Sequence, residues 1–491
     1  MKRFWLVLLS LGLIVAFSTS AMAVDLKFSG EFYAAGLYQD KTTLCKDCGP
    51  STAFYFQRLR LNAVFVVAPG LTLTTRADIM ERSWGAARTD SFGNGVFNPG
   101  LQGYTLNVAS AGTVAENENI AFDLAYVTYV SPIGIISAGY QIDNAWGTVF
   151  GDNSIPTGKI SYIYMKGPWA FIAQTGKNSA FNASGIMGIG GEQSYPRGQV
   201  FNNGLADADN SFYTLATRYS WNTGQAGFLY KYVRIATLRD SRYGLLNPVA
   251  LGEDTVQIHV VIPYVKAQFG PVAIQSEIMY AFGSHNYESA VNRAWGDNEW
   301  DVYDGVDGRR QISVLNGWID ATADFDRFYI GGTFAYLSGQ NPHHERQEQG
   351  IIDGGFDWNP ALILWNADRN QWAGDLRGCV AYNEMSTRGT ANNAMSNAYF
   401  YQVRGGVRPI DKIDIMASVS YAHAVVKPTD LWLYNSYGWE VDLTGTYKIT
   451  NNLSYMLGLG YLFTGDYFKG ESHSNEVQND FLVINKLTLT F

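Results

Sequence analysis

Five charged residues occupy alternate positions in two neighbouring segments of this sequence. They are Arg58, Arg60, Arg76, Asp78 and Arg82. Because successive side chains of a β-strand point to opposite faces, this spacing predicts that the five charges share one face of adjacent strands. A row of fixed charges can orient charged or dipolar solutes. It can also be no more than a solvated wall whose arginines pair with nearby acids such as Asp78 or Asp123, and both interpretations stay open.

The segment that must position these charges runs from Ala53 to Trp84. In its first half, apolar residues at odd positions alternate with the arginines, and the alternation resumes after Ala68–Gly70. This period of two predicts a β-hairpin with one apolar and one charged face. The hairpin alone fits a soluble β-sandwich as well as a barrel, so the rest of the chain must decide between them.

Short turns and long polar insertions alternate strictly along the chain. Short turns are predicted at residues 68–70, 131–133, 166–168, 221–224, 269–271, 324–326, 408–411 and 449–452. Long insertions are predicted at residues 41–52, 85–119, 143–158, 178–210, 238–254, 284–310, 339–397, 426–435 and 465–478. This alternation predicts an all-β, transmembrane, antiparallel up-and-down β-barrel of about 18 strands, with short periplasmic turns and long extracellular loops. Merging one pair of strands would give 16.

Composition agrees with a sheet that meets lipid on one face. The chain contains 31 Tyr, 27 Phe, 13 Trp and 51 Gly, and only 16% of its residues are charged. Aromatic residues near strand ends are typical of the two lipid–water interfaces of a membrane barrel. Acidic residues outnumber basic ones by 44 to 35, which argues against a nucleic-acid partner.

The first residues are typical of an export signal. Lys2 and Arg3 precede an apolar run that ends at Phe17, and Ala21-Met22-Ala23 forms a small-x-small cleavage site. We therefore expect a cleaved signal peptide over residues 1–23 and a single barrel domain over residues 24–491.

Several segments resemble Gram-negative outer-membrane porins, particularly the trimeric porins of sulfate- and metal-reducing bacteria. The chain ends on Phe491 after an alternating strand, and the stretches FQRLRL (Phe56–Leu61), RADIMERSWG (Arg76–Gly85) and AGYQIDNAWG (Ala138–Gly147) follow in the same order as in those porins. The resemblance covers the whole chain after the signal. It implies a homotrimer in outer-membrane lipid that lets small hydrophilic solutes and ions diffuse passively, without a cofactor or covalent chemistry. Small residues at Gly30, Ala34 and Gly36 would permit contact between subunits.

The resemblance also implies a constriction. In general porins, the insertion after the fifth strand folds into the lumen, and its acids oppose a basic wall. In this chain that insertion contains Asp143, Trp146 and Asp152. By resemblance, we expect them to face the arginine row across the narrowest point of the pore. The sequence does not decide whether such a pore prefers cations or anions.

The three cysteines leave a second function open. Cys45 and Cys48 have CxxC spacing, but Gly49 follows where c-type haem attachment needs a histidine. Barrels that sheathe multihaem cytochromes can carry a similar motif near their start, so the alternative function is the sleeve of a porin–cytochrome electron conduit. A local loop disulfide or two free thiols are the simpler interpretations. Cys379 lies far along the chain.

Other candidate sites are weaker. Two insertions are rich in acids that could bind Ca²⁺, although a solvated acidic loop is the simpler interpretation. These acids are Asp297, Glu299, Asp301, Asp304, Asp307, Asp353, Asp357 and Asp368. The run from His343 to Glu345 has no third ligand, so we assign no metal site there. His259 and His423 are isolated strand residues, and we predict no enzyme activity.

Overall fold

Eighteen strands dominate the computed structural model, which describes residues 25–84, 120–179, 209–236, 255–287, 308–374, 376–379 and 394–491. The strands are β1 (Asp25–Gln39), β2 (Thr52–Ala68), β3 (Leu71–Ser83), β4 (Ile120–Ser131), β5 (Gly134–Asp143), β6 (Ile155–Lys166), β7 (Trp169–Ser179), β8 (Asn210–Trp221), β9 (Gly224–Ile235), β10 (Thr255–Phe269), β11 (Val272–Tyr287), β12 (Gly308–Asp324), β13 (Phe328–Leu337), β14 (Ala398–Ile410), β15 (Ile413–His423), β16 (Ser436–Lys448), β17 (Leu453–Thr464) and β18 (Asp480–Thr490). One α-helix, α1 (Ala367–Ala373), lies between β13 and β14. No helix in these ranges is long and apolar enough to cross a bilayer.

The sheet closes on itself. Each strand pairs antiparallel with the next one in the chain, and β1 pairs with both β2 and β18, from Glu31 opposite Thr490 to Gln39 opposite Leu482. Closure leaves no sheet edge unpaired. The predicted up-and-down barrel of 18 strands is therefore confirmed, and the alternative of 16 strands is wrong.

The alternation of residue types explains which face of each strand points outwards. In β17, Tyr455, Leu457 and Phe463 are 41%, 43% and 50% exposed, whereas Gly458 and Leu462 between them are buried. The same alternation of exposed apolar residues recurs around the ring. The outer face of the barrel is accordingly an apolar surface, and the inner face carries small and polar residues together with buried apolar side chains such as Leu462.

The two rims differ as the sequence predicts. The hairpins at one rim are tight, and Gly70 (φ 77°) supplies the left-handed backbone conformation of the turn between β2 and β3. The other rim carries the long connections. We call residues 144–154, between β5 and β6, the short inward connection, and the described residues of 338–397, between β13 and β14, the long inward connection.

Small residues of β1 lie beneath aromatic rings of the neighbouring strands. A Cβ atom added at Gly30 would lie 2.7 Å from the ring of Phe491, and one at Gly36 would lie 2.7 Å from the ring of Tyr55. These two glycines therefore make room for rings within the same chain. Contact between subunits at this strand stays a prediction.

Most of the large buried side chains lie inside the barrel rather than between layers of sheet. Fully buried residues include Phe150 of the short inward connection and Ile363, Leu364 and Trp365 of the long one. They form one hydrophobic cluster with inner-face residues of the wall such as Phe400. The barrel thus has a core made by its own connections, and this core positions the candidate site.

Candidate functional site: the charged lumen wall and its inward connections

Two predicted arginines form bidentate pairs with acids on the inner wall of β2, β3 and β4. Arg60 donates from Nε and Nη2 to the two carboxylate oxygens of Asp78 at 2.7 and 2.6 Å. Arg76 donates from Nε and Nη2 to Oδ2 of Asp123 at 2.9 and 2.5 Å. Two-point contacts of this kind hold a guanidinium in a fixed orientation. These two pairs and Arg58 are called the arginine wall below.

Arg58 lies between two acids and an aromatic ring. Its guanidinium is 3.5 Å from the carboxylate of Glu31 and 3.7 Å from that of Glu81. It also lies 5.0 Å from the centre of the Tyr33 ring, and the ammonium of Lys486 lies 4.4 Å from the same centre. The wall is therefore a mosaic of alternating charges rather than a purely basic surface.

Arg82 departs from the predicted row. A β-bulge at Met80, whose φ is +53°, places Met80 and Glu81 together opposite Arg58. The extra residue reverses the side-chain alternation, so that Glu81 points inwards. Arg82 then pairs in register with Gln57, on the outer face. The expectation that Arg82 lines the lumen is corrected for this reason.

The short inward connection lies across the lumen against the opposite wall. The indole N–H of Trp146 donates to the backbone oxygen of Ile262 on β10 at 3.1 Å. The N–H and hydroxyl of Thr148 donate to Glu277 on β11 at 3.0 and 2.8 Å. The ring of Phe150 stacks on Trp318 of β12, with 5.8 Å between the ring centres. A connection between β5 and β6 can reach β10–β12 only through the interior.

Asp143 at the end of β5 and Asp152 of the short inward connection have partners other than the arginine wall. Asp143 accepts hydrogen bonds from Lys159 at 3.1 Å and from Lys231 at 2.6 Å. Asp152 accepts one from the backbone N–H of Trp146 at 2.6 Å. Burial, with a smaller contribution from the carboxylate of Asp357, raises the pKa of Asp152 to about 7. The contact of Asp152 stabilises the fold of the connection, and the contacts of Asp143 fix its start to β6 and β9.

A cavity of about 360 Å³ remains between the short inward connection and the wall. Its lining includes Trp146 and Asp152 from the connection, and Lys159, Lys231 and Glu277 from the strands. It therefore combines an indole ring with charges of both signs. A space of this size can hold water and small polar solutes.

The long inward connection is anchored to the wall by a buried carboxylate. Glu440 of β16 is fully buried and accepts hydrogen bonds from the backbone N–H groups of Ile363 at 2.6 Å and Leu364 at 2.9 Å. Trp365 packs edge-on against Phe400 and Tyr437. One carboxyl side chain thus satisfies two backbone donors that the apolar surroundings would otherwise leave unpaired.

Helix α1 continues this connection towards the arginine wall. Asn366 caps the helix by accepting from the N–H of Arg369 at 2.8 Å. Buried Arg369 donates to Gln39 of β1 at 3.3 Å, and Trp372 stacks on Phe56 of β2 with ring centres 4.4 Å apart. Phe56 is two residues from Arg58 on the same face of β2, so α1 lies directly beside the arginine wall.

The two inward connections meet inside the barrel. The N–H of Asp357 donates to the backbone oxygen of Asp152 at 3.0 Å, and that of Phe356 donates to the side chain of Asn153 at 2.8 Å. Phe150 and Trp358 pack edge to face with ring centres 5.2 Å apart. Together the connections form a bridge that runs from β10–β12 to β14–β18 and β1–β2.

The sequence pattern does not predict that the long inward connection enters the lumen. The signal that could have revealed it is the apolar content of an insertion read as an extracellular loop. Ile363, Leu364, Trp365 and Trp372 occur within ten residues. A water-exposed loop has no cover for such side chains, so their presence indicates burial inside the barrel.

Comparisons with known proteins give similarities of structure. No protein-family model and no curated protein sequence matches the chain. Among solved structures, OccK8 (OprE) of Pseudomonas aeruginosa is 12% identical, with a TM-score of 0.48, over 95% of this chain and 98% of that protein. A BenF-like porin of Pseudomonas fluorescens is 10% identical, with a TM-score of 0.46, over 95% of this chain and 99% of that one. The outer membrane protein OpdK of P. aeruginosa is 10% identical, with a TM-score of 0.42, over 95% and 99%.

The cysteines pair differently from either simple interpretation of the sequence. Cys45 forms a disulfide with Cys379, 334 residues away, and Cys48 is a free, exposed thiol. The interpretations of a local Cys45–Cys48 disulfide and of two free thiols are therefore both corrected. A contact between distant connections cannot be recognised from the spacing of two nearby cysteines.

The weaker candidates occupy ordinary structural positions where they are described. His343 pairs with Asp430 at 2.8 Å and His344 with Glu348 at 3.0 Å. No group of three or more His, Cys, Asp or Glu side chains in the described ranges could hold a metal ion. The acids between Asp297 and Asp307 lie outside the described residues. On β10, His259 lies among aromatic rings, with its Nδ1 2.7 Å from the hydroxyl of Tyr230.

Proposed function

We propose that this protein is an outer-membrane porin through which small hydrophilic solutes and ions diffuse passively. The observation that carries the proposal is a closed ring with an apolar exterior, whose interior has a charged wall beside a bridge of its own connections. A bilayer accepts only sheets without unpaired edges, and lipid favours an apolar outer face. We propose that the barrel lies in the outer membrane. The export signal over residues 1–23 and a homotrimeric assembly belong to the same proposal.

The bridge and the arginine wall together explain how such a pore would select solutes. The two inward connections reduce the cross-section of the lumen, so solute size is limited by the chain itself. The pairs Arg60–Asp78 and Arg76–Asp123 present oriented donors and acceptors to whatever passes beside them. A polar solute can exchange water for these groups, whereas an apolar solute loses contacts and gains none.

The charges of the wall nearly balance. Glu31, Asp78, Glu81 and Asp123 face the three arginines, and Lys486 lies beside Tyr33. We therefore propose weak ion selectivity that depends on individual pairs. Diffusion down a gradient needs no energy input and no covalent step.

The alternative of a sleeve around a multihaem cytochrome is less well supported. The protein's own long inward connection occupies part of the lumen that a sleeve would need for its partner, as the contacts of Ile363 and Trp365 show. Cys45 is also bonded to Cys379. A sleeve should co-purify with haem-staining partners, and a porin should conduct ions without any partner protein.

Planar-bilayer recording of the purified protein tests the proposal. We expect stepwise insertion of open channels, a conductance that scales with bulk salt conductivity, and a small reversal potential in a salt gradient. Swelling of liposomes in sugars of increasing size would measure the size limit. Liposomes with the heat-denatured protein are the control. A folded barrel that inserts into bilayers but conducts nothing would overturn the proposal.

A further inference from the structure

A cluster of three cysteines ties the long inward connection to the connection between β1 and β2. Cys45 is bonded to Cys379, and free Cys48 lies three residues further along from Cys45. The proposed diffusion function does not use this cluster, and the CxxC spacing of the first two cysteines is not explained by the observed disulfide.

The turn from Cys45 to Cys48 brings the free cysteine close to the bonded one. The N–H of Cys48 donates to the backbone oxygen of Cys45 at 3.1 Å, and Asp47 has a φ of +59°. In a turn of this kind the first and fourth Cα atoms lie within about 7 Å of each other. Disulfides span Cα separations of about 4.4 to 6.8 Å, so Cys48 is placed where it can pair with Cys45.

Backbone hydrogen bonds hold the segments at both ends of the present disulfide. On the Cys45 side, Lys46 donates its N–H to Glu476 at 2.8 Å and Gln478 donates to Leu44 at 2.7 Å. On the Cys379 side, the backbone oxygen of Arg377 accepts from Leu44 at 2.6 Å. The β1–β2 connection therefore keeps its own anchors if Cys45 changes its partner.

We propose that Cys45, Cys48 and Cys379 form an intramolecular thiol–disulfide exchange site. The thiolate of Cys48 attacks Sγ of Cys45, the Cys45–Cys379 bond breaks, and a Cys45–Cys48 bond forms. Cys379 leaves as a thiolate and takes up a proton equivalent to the one that Cys48 lost. One disulfide and one thiol are present before and after the step, so no oxidant or reductant is needed.

The exchange changes what holds α1 beside the arginine wall. Cys379 follows the end of α1 by six residues, and in the present form the disulfide fixes this segment to the β1–β2 connection. After exchange, the segment keeps backbone contacts such as that from Cys379 to Phe468 at 2.8 Å, but no covalent link. The Cys45–Cys379 disulfide then no longer holds the segment that places Trp372 against Phe56.

Disulfide mapping of the purified wild-type protein tests the exchange directly. The protein is incubated without reductant between pH 6 and pH 9, quenched in acid, alkylated, digested and analysed by mass spectrometry. We expect two species, one with Cys45 linked to Cys379 and one with Cys45 linked to Cys48 and alkylated Cys379. Their interconversion should be faster at pH 9 than at pH 6, because the thiolate is the nucleophile.

Finding only the Cys45–Cys379 linkage, with alkylated Cys48, at every pH would overturn the proposal. C48S should show that linkage alone and serves as the control that cannot exchange. Disulfide mapping does not depend on ion conduction. The exchange proposal can therefore fail while the porin proposal stands, and the porin proposal can fail while the exchange proposal stands.

A pair of variants then tests the coupling to α1. C48S retains only the Cys45–Cys379 bond, and C379S retains only the pair that can form Cys45–Cys48. We expect C379S to show faster proteolysis within residues 358–374 and more frequent conductance substates than C48S. Equal proteolysis and equal channel records in the two variants would overturn the coupling. If C379S fails to fold, the mapping experiment on the wild type still decides the exchange.

Discussion

Charges on the lumen wall act as pairs, and the consequence of removing one depends on the partner that is left. Arg76 and Asp123 are each about one-sixth exposed and share a two-point contact. Replacing the arginine removes this two-point contact and leaves Asp123 with the guanidinium of Arg60 at 4.0 Å. The expected effect on permeation is therefore set by the remaining carboxylate.

Arg76→Gln should shift ion selectivity towards cations. Loss of the guanidinium makes the wall around Asp123 more negative by one charge, and the same reasoning applies to Arg60→Gln at Asp78. Reversal potentials in a salt gradient measure the shift. Arg82→Gln is the matched control, since the bulge at Met80 places Arg82 on the outer face. An equal shift in the control, or none in Arg76→Gln, would contradict this account.

Glu440→Ala should loosen the long inward connection. The change leaves the buried N–H groups of Ile363 and Leu364 without an acceptor, which costs about 2–4 kcal/mol locally. Faster proteolysis within residues 358–374 in the folded barrel would report it. Glu440→Gln keeps one acceptor oxygen and should show a smaller effect. Wild-type proteolysis of Glu440→Ala would show that this contact is not the anchor.

Some side-chain positions follow from the sequence pattern and others do not. The positions of Arg58, Arg60 and Arg76 on the inner face follow from a period of two. The position of Arg82 does not, because one extra residue at Met80 reverses the alternation, and nothing in the local sequence marks a bulge without glycine. The pairing of Cys45 with Cys379 is likewise set by tertiary contacts between connections.

Unlike the strands, the two inward connections show no regular alternation of apolar and polar residues. Strands are predictable because their environment repeats every second residue. The contact between Asp152 and Asp357 joins residues that are far apart in sequence and has no such repeat. Only the resemblance predicts the inward fold of residues 144–154, and the sequence does not predict that of residues 338–374.

The contact between the connections should weaken as pH rises. The pKa of Asp152 is raised from 3.8 to about 7, so its stabilising contribution is fully present below about pH 4 and is lost as pH rises through about 7. A shift of this size corresponds to at most ~4 kcal/mol. Hydrogen exchange of residues 144–154, corrected for intrinsic rates, should show less protection at pH 8 than at pH 5.

Asp152→Asn should remove the part of this dependence on pH that comes from Asp152, because the amide does not ionise. Asp357→Asn should reduce it without abolishing it, since burial is the larger cause of the raised pKa and the neighbouring charge the smaller one. Protection that stays constant from pH 5 to pH 8 in the wild type would contradict the assignment.

For the whole molecule, the two faces of the sheet should respond in opposite ways to the same charge. Leu457 lies on the outer face near the middle of β17, and Met456 beside it lies on the inner face. Leu457→Arg should destabilise the barrel in lipid by ~2–4 kcal/mol, whereas Met456→Arg should cost far less. Urea unfolding in lipid vesicles measures both. Equal costs would mean that the outer face does not meet lipid.

The overall fold was the most predictable feature. Strand number, direction and closure follow from the alternation of residue types and of turn lengths, both of which are local properties of the sequence. The core inside the barrel was unpredictable for the opposite reason, since Phe150, Trp358 and Trp365 acquire their neighbours only when the ring is complete.

Closure of the ring between β1 and β18 also has a consequence for folding kinetics. Gln39 of β1 donates a hydrogen bond to Asp480 of β18 at 2.7 Å, and the two residues are 441 positions apart in the chain. The pairing of β1 with β18 therefore forms late in folding. Until then both strands expose unpaired backbone groups, and other chains can add to them. A synthetic peptide with the sequence of residues 480–490, present during refolding, should therefore compete for β1 and lower the yield of closed barrels.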